Sequence, residues 1–262
     1  MPTSALHVAR TGLEAQDARM RVIANNLANV ATTGFKRDRA NFATLAYQDA
    51  RVAGQQSSNE TAYANGLNLG TGVAVQSTTR IVTQGSLQAT GNSLDLALDG
   101  DGYFQVQLPG GQLGYTRAGN FTRSSEGQLV TTQGYAVQPP ISIPEGASAI
   151  SIAEDGTVSA QIAGQAEASQ IGQITIASFA NPGGLQAGAD NFLLETGASG
   201  PAQLGPAGEA GRGRIRQGML EGSNVNIVEE LVDMIETQRA YEINSKMISA
   251  VDEMLRNANQ TL

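Results

Sequence analysis

The chain has 262 residues, 40% of them apolar, and a formal net charge of -8; that is enough apolar material for a core, and the wrong sign for general attraction to nucleic acid or anionic membrane. It contains no cysteine and no tryptophan, which excludes disulfides and thiolate metal sites. Its 31 glycines and 8 prolines, against 15% charged residues, predict a β-rich middle with many turns rather than a helical bundle.

The opening residues, MPTSALHVARTGLEAQDARM, lack the apolar core of a secretory signal, and no run of 18 apolar residues follows anywhere. No transmembrane segment is expected, and a route out of the cytoplasm would be one without a cleaved signal peptide. Leu6, Leu13, Met20 and Leu27 recur every seven residues, with Ala9, Ile23 and Val30 three places after their partners and Gln16 breaking the second row. This stripe predicts a helix from about Ser4 to Thr33, stopped at Gly34 in the left-handed conformation, with Phe35 folding back on Val30. Asn25, Asn26 and Asn29 are poor helix formers. On a helix Asn25 and Asn29 share a face, as do Asn26 and Asn29, so they read either as a fraying end or as hydrogen-bonding groups turned toward neighbouring helices.

Residues 38–70 are rich in Gln, Asn and Ser with scattered apolar residues, and fit neither period. A structureless loop of that length is unexpected inside a compact domain, so the segment reads as extended and ordered by a partner. Tyr47, Gln55, Gln56, Ser57, Tyr63, Leu67 and Leu69 are its candidate contact residues. From residue 71 to about 221 the period is 2: Leu94, Leu96 and Leu98 alternate with Asp95, Ala97 and Asp99. Phe104, Val106 and Leu108 lead to a PGG turn, and Ile150 and Ile152 lead through an EDGT turn to Val158 and Ile162.

At residues 222–262 Asn226 is placed as an N-cap with Glu229 three residues on. A second long helix follows, striped by Ile227, Leu231, Met234, Tyr241, Ile248, Val251 and Leu255. Residues 1–37 carry five basic and two acidic residues, and residues 222–262 three and seven, giving +3 against -4. Opposite charge favours pairing one terminal helix with the other over pairing either with itself. The expected fold is therefore α+β: a coiled-coil-like terminal helical polymerisation domain (1–37 and 222–262), an extended connecting segment (38–70) and a β-rich outer domain (71–221). The terminal helices are expected to be loose in a monomer and ordered in an assembly. Leu6, Leu13, Met20, Ile23 and Leu27 against Ile227, Leu231, Met234, Tyr241, Ile248 and Leu255 form the expected assembly seam, with Asn25, Asn26 and Asn29 setting its register.

The chemistry for catalysis is thin, and no cofactor is expected. His7 is the sole histidine, so neither a Cys-His pair nor a histidine-rich metal site can form. Asp95, Asp99 and Asp101 lack EF-hand spacing and read as turn residues at strand ends. The GTG at Gly70–Gly72 and the GDG at Gly100–Gly102 open no helix and make no phosphate cradle. GRGRIR at Gly211–Arg216 reads as a solvated or subunit-facing loop.

The segments ANNLANVATTGFKR and EELVDMIETQRAYEINSK resemble the terminal signatures of the flagellar rod and hook family of bacterial axial proteins. LDLALDGDGYFQV and YTRAGNFTRSSEGQLVTTQGYAVQ resemble that family's shared β segments. Length and the segment GQQSSNETAYANGLNLGTGVAV resemble its distal rod branch; a proximal rod or hook subunit is the alternative within the family. The resemblance implies a subunit of a hollow helical homopolymer in the basal body, spanning the periplasm as a drive shaft. It also implies export through the flagellar type III apparatus, with proximal rod and hook or hook-junction proteins at the ends and an outer bushing ring around the shaft. The segment at about 46–72 would brace neighbouring subunits and stiffen the rod. From another class, a secreted binding protein or adhesin with an intramolecular coiled coil would carry similar heptads.

Overall fold

A computed structural model describes residues 2–56, 63–162 and 168–260. Among these the chain is β-rich, with twenty strands and two α-helices, α1 (Pro2–Ala28) and α2 (Ile227–Gln260). It divides into two compact units, one of Met1–Leu27, Asp38–Thr79 and Asn226–Leu262, the other of Ala28–Arg37 and Arg80–Val225. The expected coiled-coil-like α domain is not what forms. The two helices share their unit with strands, and of the apolar stripes they bury Ala9 and Ile23, the other stripe residues being half-buried or exposed.

The physical reason lies in the phase of each helix. On α1 the buried residues are Ala9, Thr11, Ala15, Ile23 and Asn26; on α2 they are Glu230 and Thr237. Leu6, Leu13, Met20 and Leu27 are only half-buried. α1 also stops at Ala28, short of Thr33. Asn29, Val30, Thr32 and Thr33 are weak helix formers, and Thr32 turns back, its hydroxyl donating to Asn29 Oδ1 and its N–H to Asn29 O. α2 starts as expected, with Asn226 Oδ1 accepting from the Val228 N–H at 3.1 Å.

Between the helices in sequence runs a ribbon: β1 (Asp38–Thr44), β2 (Tyr47–Arg51), β3 (Leu67–Gly70) and β4 (Val73–Arg80). β1 pairs with β4, and β2 pairs antiparallel with β3, Tyr47 opposite Gly70 and Arg51 opposite Leu67. The chain thus goes out and returns as one two-stranded arm. Asn41 Nδ2 bonds the hydroxyls of Ser77 and Thr79, and the Arg51 guanidinium lies 4.1 Å from the Tyr63 ring centre.

In the second unit the hairpin signals hold. After β5 (Leu87–Ala89), the strands β6 (Leu96–Asp99) and β7 (Tyr103–Gln107) fall where period 2 placed them, and the PGG turn joins β7 to β8 (Leu113–Thr116). β7 and β8 lie within a seven-stranded sheet that also holds Thr175–Ser178 and Gln203–Pro206. Ala147–Ile152, Thr157–Ile162 and Ser169–Gln173 make a separate three-stranded sheet. β7 is covered on both faces: Phe104 and Val106 enter the main core with Leu96, Leu98, Ile174 and Ile176, and Tyr103 enters a smaller cluster with Tyr115, Ala177 and Leu193. Edge-to-face ring pairs fix each core, Phe104 with Phe121 at 5.1 Å and Tyr115 with Phe179 at 4.8 Å.

The end of the asparagine-rich signature is pinned into this second unit. Gly34, at φ 66°, donates its N–H to Glu221 O at 2.8 Å, and a Cβ there would meet Arg117 and Ala118 backbone at 2.6 Å, so only glycine fits. Lys36 is buried, its ammonium held by Thr83 O and the Glu221 carboxylate; the other Glu221 oxygen faces Arg117 Nη1 at 3.3 Å, and Gly85 N–H donates to the carboxylate as well. Burial pushes the Lys36 ammonium below the usual lysine value, opposed by the carboxylate that keeps it charged. Asn224 completes the knot, accepting from Arg37 N–H and donating to Ile81 O and Thr83 O.

Candidate assembly surface

Polar contacts join the two helices. Asn26 Nδ2 reaches Glu230 Oε2 at 3.2 Å, while the same amide donates to Asp38 O and accepts from Asp38 N–H. Arg19 Nη2 lies 3.1 Å from Asp233 Oδ1. At Gly12 an added Cβ would lie 3.0 Å from the Asn244 amide, so the helices come close there. Residues 26, 19 and 12 of α1 thus meet residues 230, 233 and 244 of α2, an antiparallel pair with amides, carboxylates and small residues at its contacts.

Apolar side chains of α2 point outward instead. Ile227, Val228, Leu231, Val232, Ile235, Tyr241, Ile243, Met247 and Met254 are all exposed, Val228 at 69%. Val228, Val232 and Ile235 belong to one ridge with Leu231, at the i, i+3, i+4, i+7 spacing of a helix face. The sequence reading placed Ile227, Leu231 and Tyr241 on the seam. They are at the surface, while Met234, Ile248 and Leu255 from the same stripe are half-buried. It missed the ridge of Val228, Val232 and Ile235, which the 3.5-residue stripe overshadowed. Of the asparagines, Asn26 is buried in the contacts above, Asn25 is exposed and Asn29 is in the turn after α1.

The arm carries a second apolar surface. Phe42, Tyr47, Val52, Tyr63, Leu67, Leu69 and Val75 are exposed on it, Tyr47 at 62%. Gln55 and Gln56 are exposed near its tip, and Ser57 lies outside the described residues. A two-stranded ribbon alone is marginal in water, so this much exposed apolar surface calls for a covering surface. Within the same unit, a groove of about 950 Å³ opens between the start of α1, the β2–β3 end of the arm and Met247 of α2.

The residues considered for catalysis are engaged elsewhere. Asp95 accepts from Thr90 Oγ1 and Asn92 Nδ2, and Asp99 faces Arg216. Arg214 and Arg216 both reach Glu154, and Arg212 Nε donates to Pro206 O. Among the described residues no group of three His, Cys, Asp or Glu side chains is arranged to hold a metal ion, and no helix is long and apolar enough to cross a membrane.

Comparison with known proteins gives this surface its context. Residues 6–36 match the family described as flagella basal body rod protein, residues 97–160 the flagellar hook protein FlgE/F/G D1 domain, and residues 216–261 the flagellar basal body rod FlgEFG protein C-terminal family. The flagellar basal-body rod protein FlgG of Buchnera aphidicola subsp. Acyrthosiphon pisum is 50% identical over 97% of this chain and 98% of its own. FlgG of Caulobacter vibrioides is 47% identical over 98% of each chain, whereas the rod protein FlgF of that organism is 34% identical over 99% of this chain and 98% of its own.

A chain with an outward-facing apolar helix and an exposed apolar arm belongs among proteins built to pack against others, and the matches say which: the chain belongs to the flagellar rod and hook family of axial proteins. Within it, the chain is a structural subunit of the distal rod, most like FlgG.

Proposed function

We propose that the chain polymerises through its terminal helices into a rigid hollow tube that carries torque across the periplasm and encloses the export channel. In this reading Leu6, Leu13, Met20, Ile23 and Leu27 of α1 and Ile227, Leu231, Met234, Tyr241, Ile248 and Leu255 of α2 contribute to contacts between copies. Asn25, Asn26 and Asn29 hold their register, and the arm braces neighbours through Tyr47, Gln55, Gln56, Ser57, Tyr63, Leu67 and Leu69. Proximal rod and hook or hook-junction proteins meet its ends, an outer ring surrounds it, and the flagellar type III apparatus delivers it.

One observation carries the reading: nine large apolar side chains of α2 are exposed, Val228 at 69% and Met254 at 62%, in a helix whose buried positions are Glu230 and Thr237. Burying each is worth roughly 1.5–3 kcal/mol, and within the chain that burial is not made. Electron microscopy and sedimentation of the full chain over a concentration series test it. Straight tubes growing with concentration are expected; a small oligomer of fixed size overturns the reading and returns the binding-protein alternative.

A further inference from the structure

We propose that Asn65 is a self-modification site: in the folded chain the Gly66 backbone nitrogen attacks the Asn65 side chain, expels ammonia, and leaves a mixture of aspartate and isoaspartate in the returning strand of the arm. Asn65–Gly66 is the one Asn-Gly pair in the sequence. It leads into β3, and both residues are exposed. Among the described residues neither the Asn65 amide nor the Gly66 N–H is engaged in a hydrogen bond. Packing keeps the attacking atom bare. A Cβ on Gly66 would lie 2.9 Å from Arg51 O and 3.2 Å from Ala53 N, so a side chain that would shield this nitrogen does not fit. Asparagines that precede serine are held instead. Asn92 accepts from the Leu94 N–H and donates to Asp95, and Asn244 lies inside α2, where the next N–H belongs to the helical ladder.

The step needs only water and hydroxide. The Gly66 nitrogen, having given its proton to hydroxide, forms a bond to Asn65 Cγ. The Cγ–Nδ2 bond breaks, and the amide nitrogen takes a proton from water and leaves as ammonia. The product is a five-membered cyclic imide spanning residues 65 and 66. Water then opens it at either carbonyl: cleavage of the bond from Gly66 N to Cγ returns the normal backbone with aspartate at 65, whereas cleavage at the Asn65 carbonyl carbon routes the backbone through the side chain as isoaspartate. One water enters and one ammonia departs, with no change of oxidation state.

The surroundings decide what this does to the arm. On one side of the pair Gly54 N–H donates to Tyr63 O and Tyr63 N–H to Gln55 O; on the other, Leu67 lies opposite Arg51. Isoaspartate inserts one methylene, about 1.5 Å of backbone, between these two fixed pairings. β2 and β3 form a sheet of two strands, with no third strand to hold them, so the pairing around Tyr63 opens. Both products also place a carboxylate between Tyr63 and Leu67, which are exposed at 37% and 45%. Covering an unpaired carboxylate is costly. A chain that waits unassembled thus loses the packing capacity of its arm, a consequence that rests on the polymer reading above; the modification itself does not.

The test ages the full chain at low concentration in mildly alkaline buffer, beside the Asn65→Gln chain and a synthetic peptide of residues 63–70. Samples are read by peptide mass spectrometry, with isoaspartyl methyltransferase as the reagent for isoaspartate. The Asn65 peptide of the folded chain should gain the mass of an NH2-to-OH exchange at a rate within a few-fold of the free peptide, rising in proportion to hydroxide, and should become a methyl acceptor. The other asparagine peptides and the Asn65→Gln chain should keep their mass. Conversion many-fold slower in the folded chain than in the peptide means that the fold holds the amide closed and overturns the proposal, as does conversion no faster at Asn65 than at Asn92. Aged and fresh chains with the same unfolding midpoint are then offered to growing tubes. Aged wild type should add several-fold more slowly than fresh, and aged Asn65→Gln as fast as fresh; equal addition of aged and fresh wild type overturns the consequence for assembly. Failure of the fresh chain to form tubes removes the polymer reading and leaves the modification to stand or fall on the mass measurement.

Discussion

Glu221 shows what a single side chain holds. Its carboxylate is fully buried and takes Lys36, Arg117 and the Gly85 N–H, while its carbonyl takes the Gly34 N–H. Breaking a buried ion pair by removing one partner costs about 3–5 kcal/mol, because the other charge stays buried without it. Glu221→Gln should therefore lower the unfolding free energy by an amount in that range, read as a lower denaturant midpoint at unchanged slope, and an unchanged midpoint would mean the knot is not needed. Tyr103 and Tyr115 give a pH signature. Burial raises both phenols above the usual value of about 10, with the Glu195 carboxylate 3.4 Å from Tyr115 Oη adding to the shift there. The folded state then keeps protons that the unfolded chain releases, so their contribution is complete below about pH 10 and is lost as pH rises through the raised values. Stability should fall in that alkaline limb, and Tyr115→Phe should flatten it in urea titrations at stepped pH. Neither the knot nor the phenol cluster was legible in the sequence: Lys36 and Glu221 are 185 residues apart, and no local pattern links them. Gly34 was legible as left-handed, but its reason was read as helix ending when it is the close approach of Arg117 and Ala118.

At the scale of elements, both helices and the hairpins around β6–β8 could be read from periodicity, because the local pattern and the tertiary context agree there. The arm could not. Its strands pair across distant residues, Arg51 with Leu67 and Tyr47 with Gly70, and its apolar residues lie on a ribbon lacking its cover. Within the chain the 3.5-residue stripe does not join the helices: Leu231 and Tyr241, which that count selects, are exposed, while Asn26, Glu230 and Thr237 are buried. Placing a charge in the α1 stripe tests its role between copies: Met20→Asp should stop polymerisation, read by sedimentation, and leave the unfolding transition of the second unit unchanged. Removing residues 54–69 should leave a chain that still polymerises into tubes that bend more, read as a shorter persistence length in micrographs; tubes as straight as the wild type would deny the arm its bracing role.

For the whole molecule, the two units differ in what completes them. The second has its own apolar core, built from Phe104, Phe121, Ile174 and Ile176 among others, and should unfold in one transition at any protein concentration. The first exposes much of the apolar surface of its helix α2 and its arm, and its stability should rise with concentration by mass action. Circular dichroism at 222 nm on dilution should therefore lose helix signal while the β contribution persists; helicity independent of concentration would contradict this.

For the delivery through an export apparatus that we propose, the polar seam between α1 and α2 has a further consequence. Contacts made by an amide, two carboxylates and a guanidinium hand their hydrogen bonds to water when they part, so the helices can be peeled from each other cheaply and the strand drawn out straight. What makes this pair a poor coiled coil also makes it easy to thread.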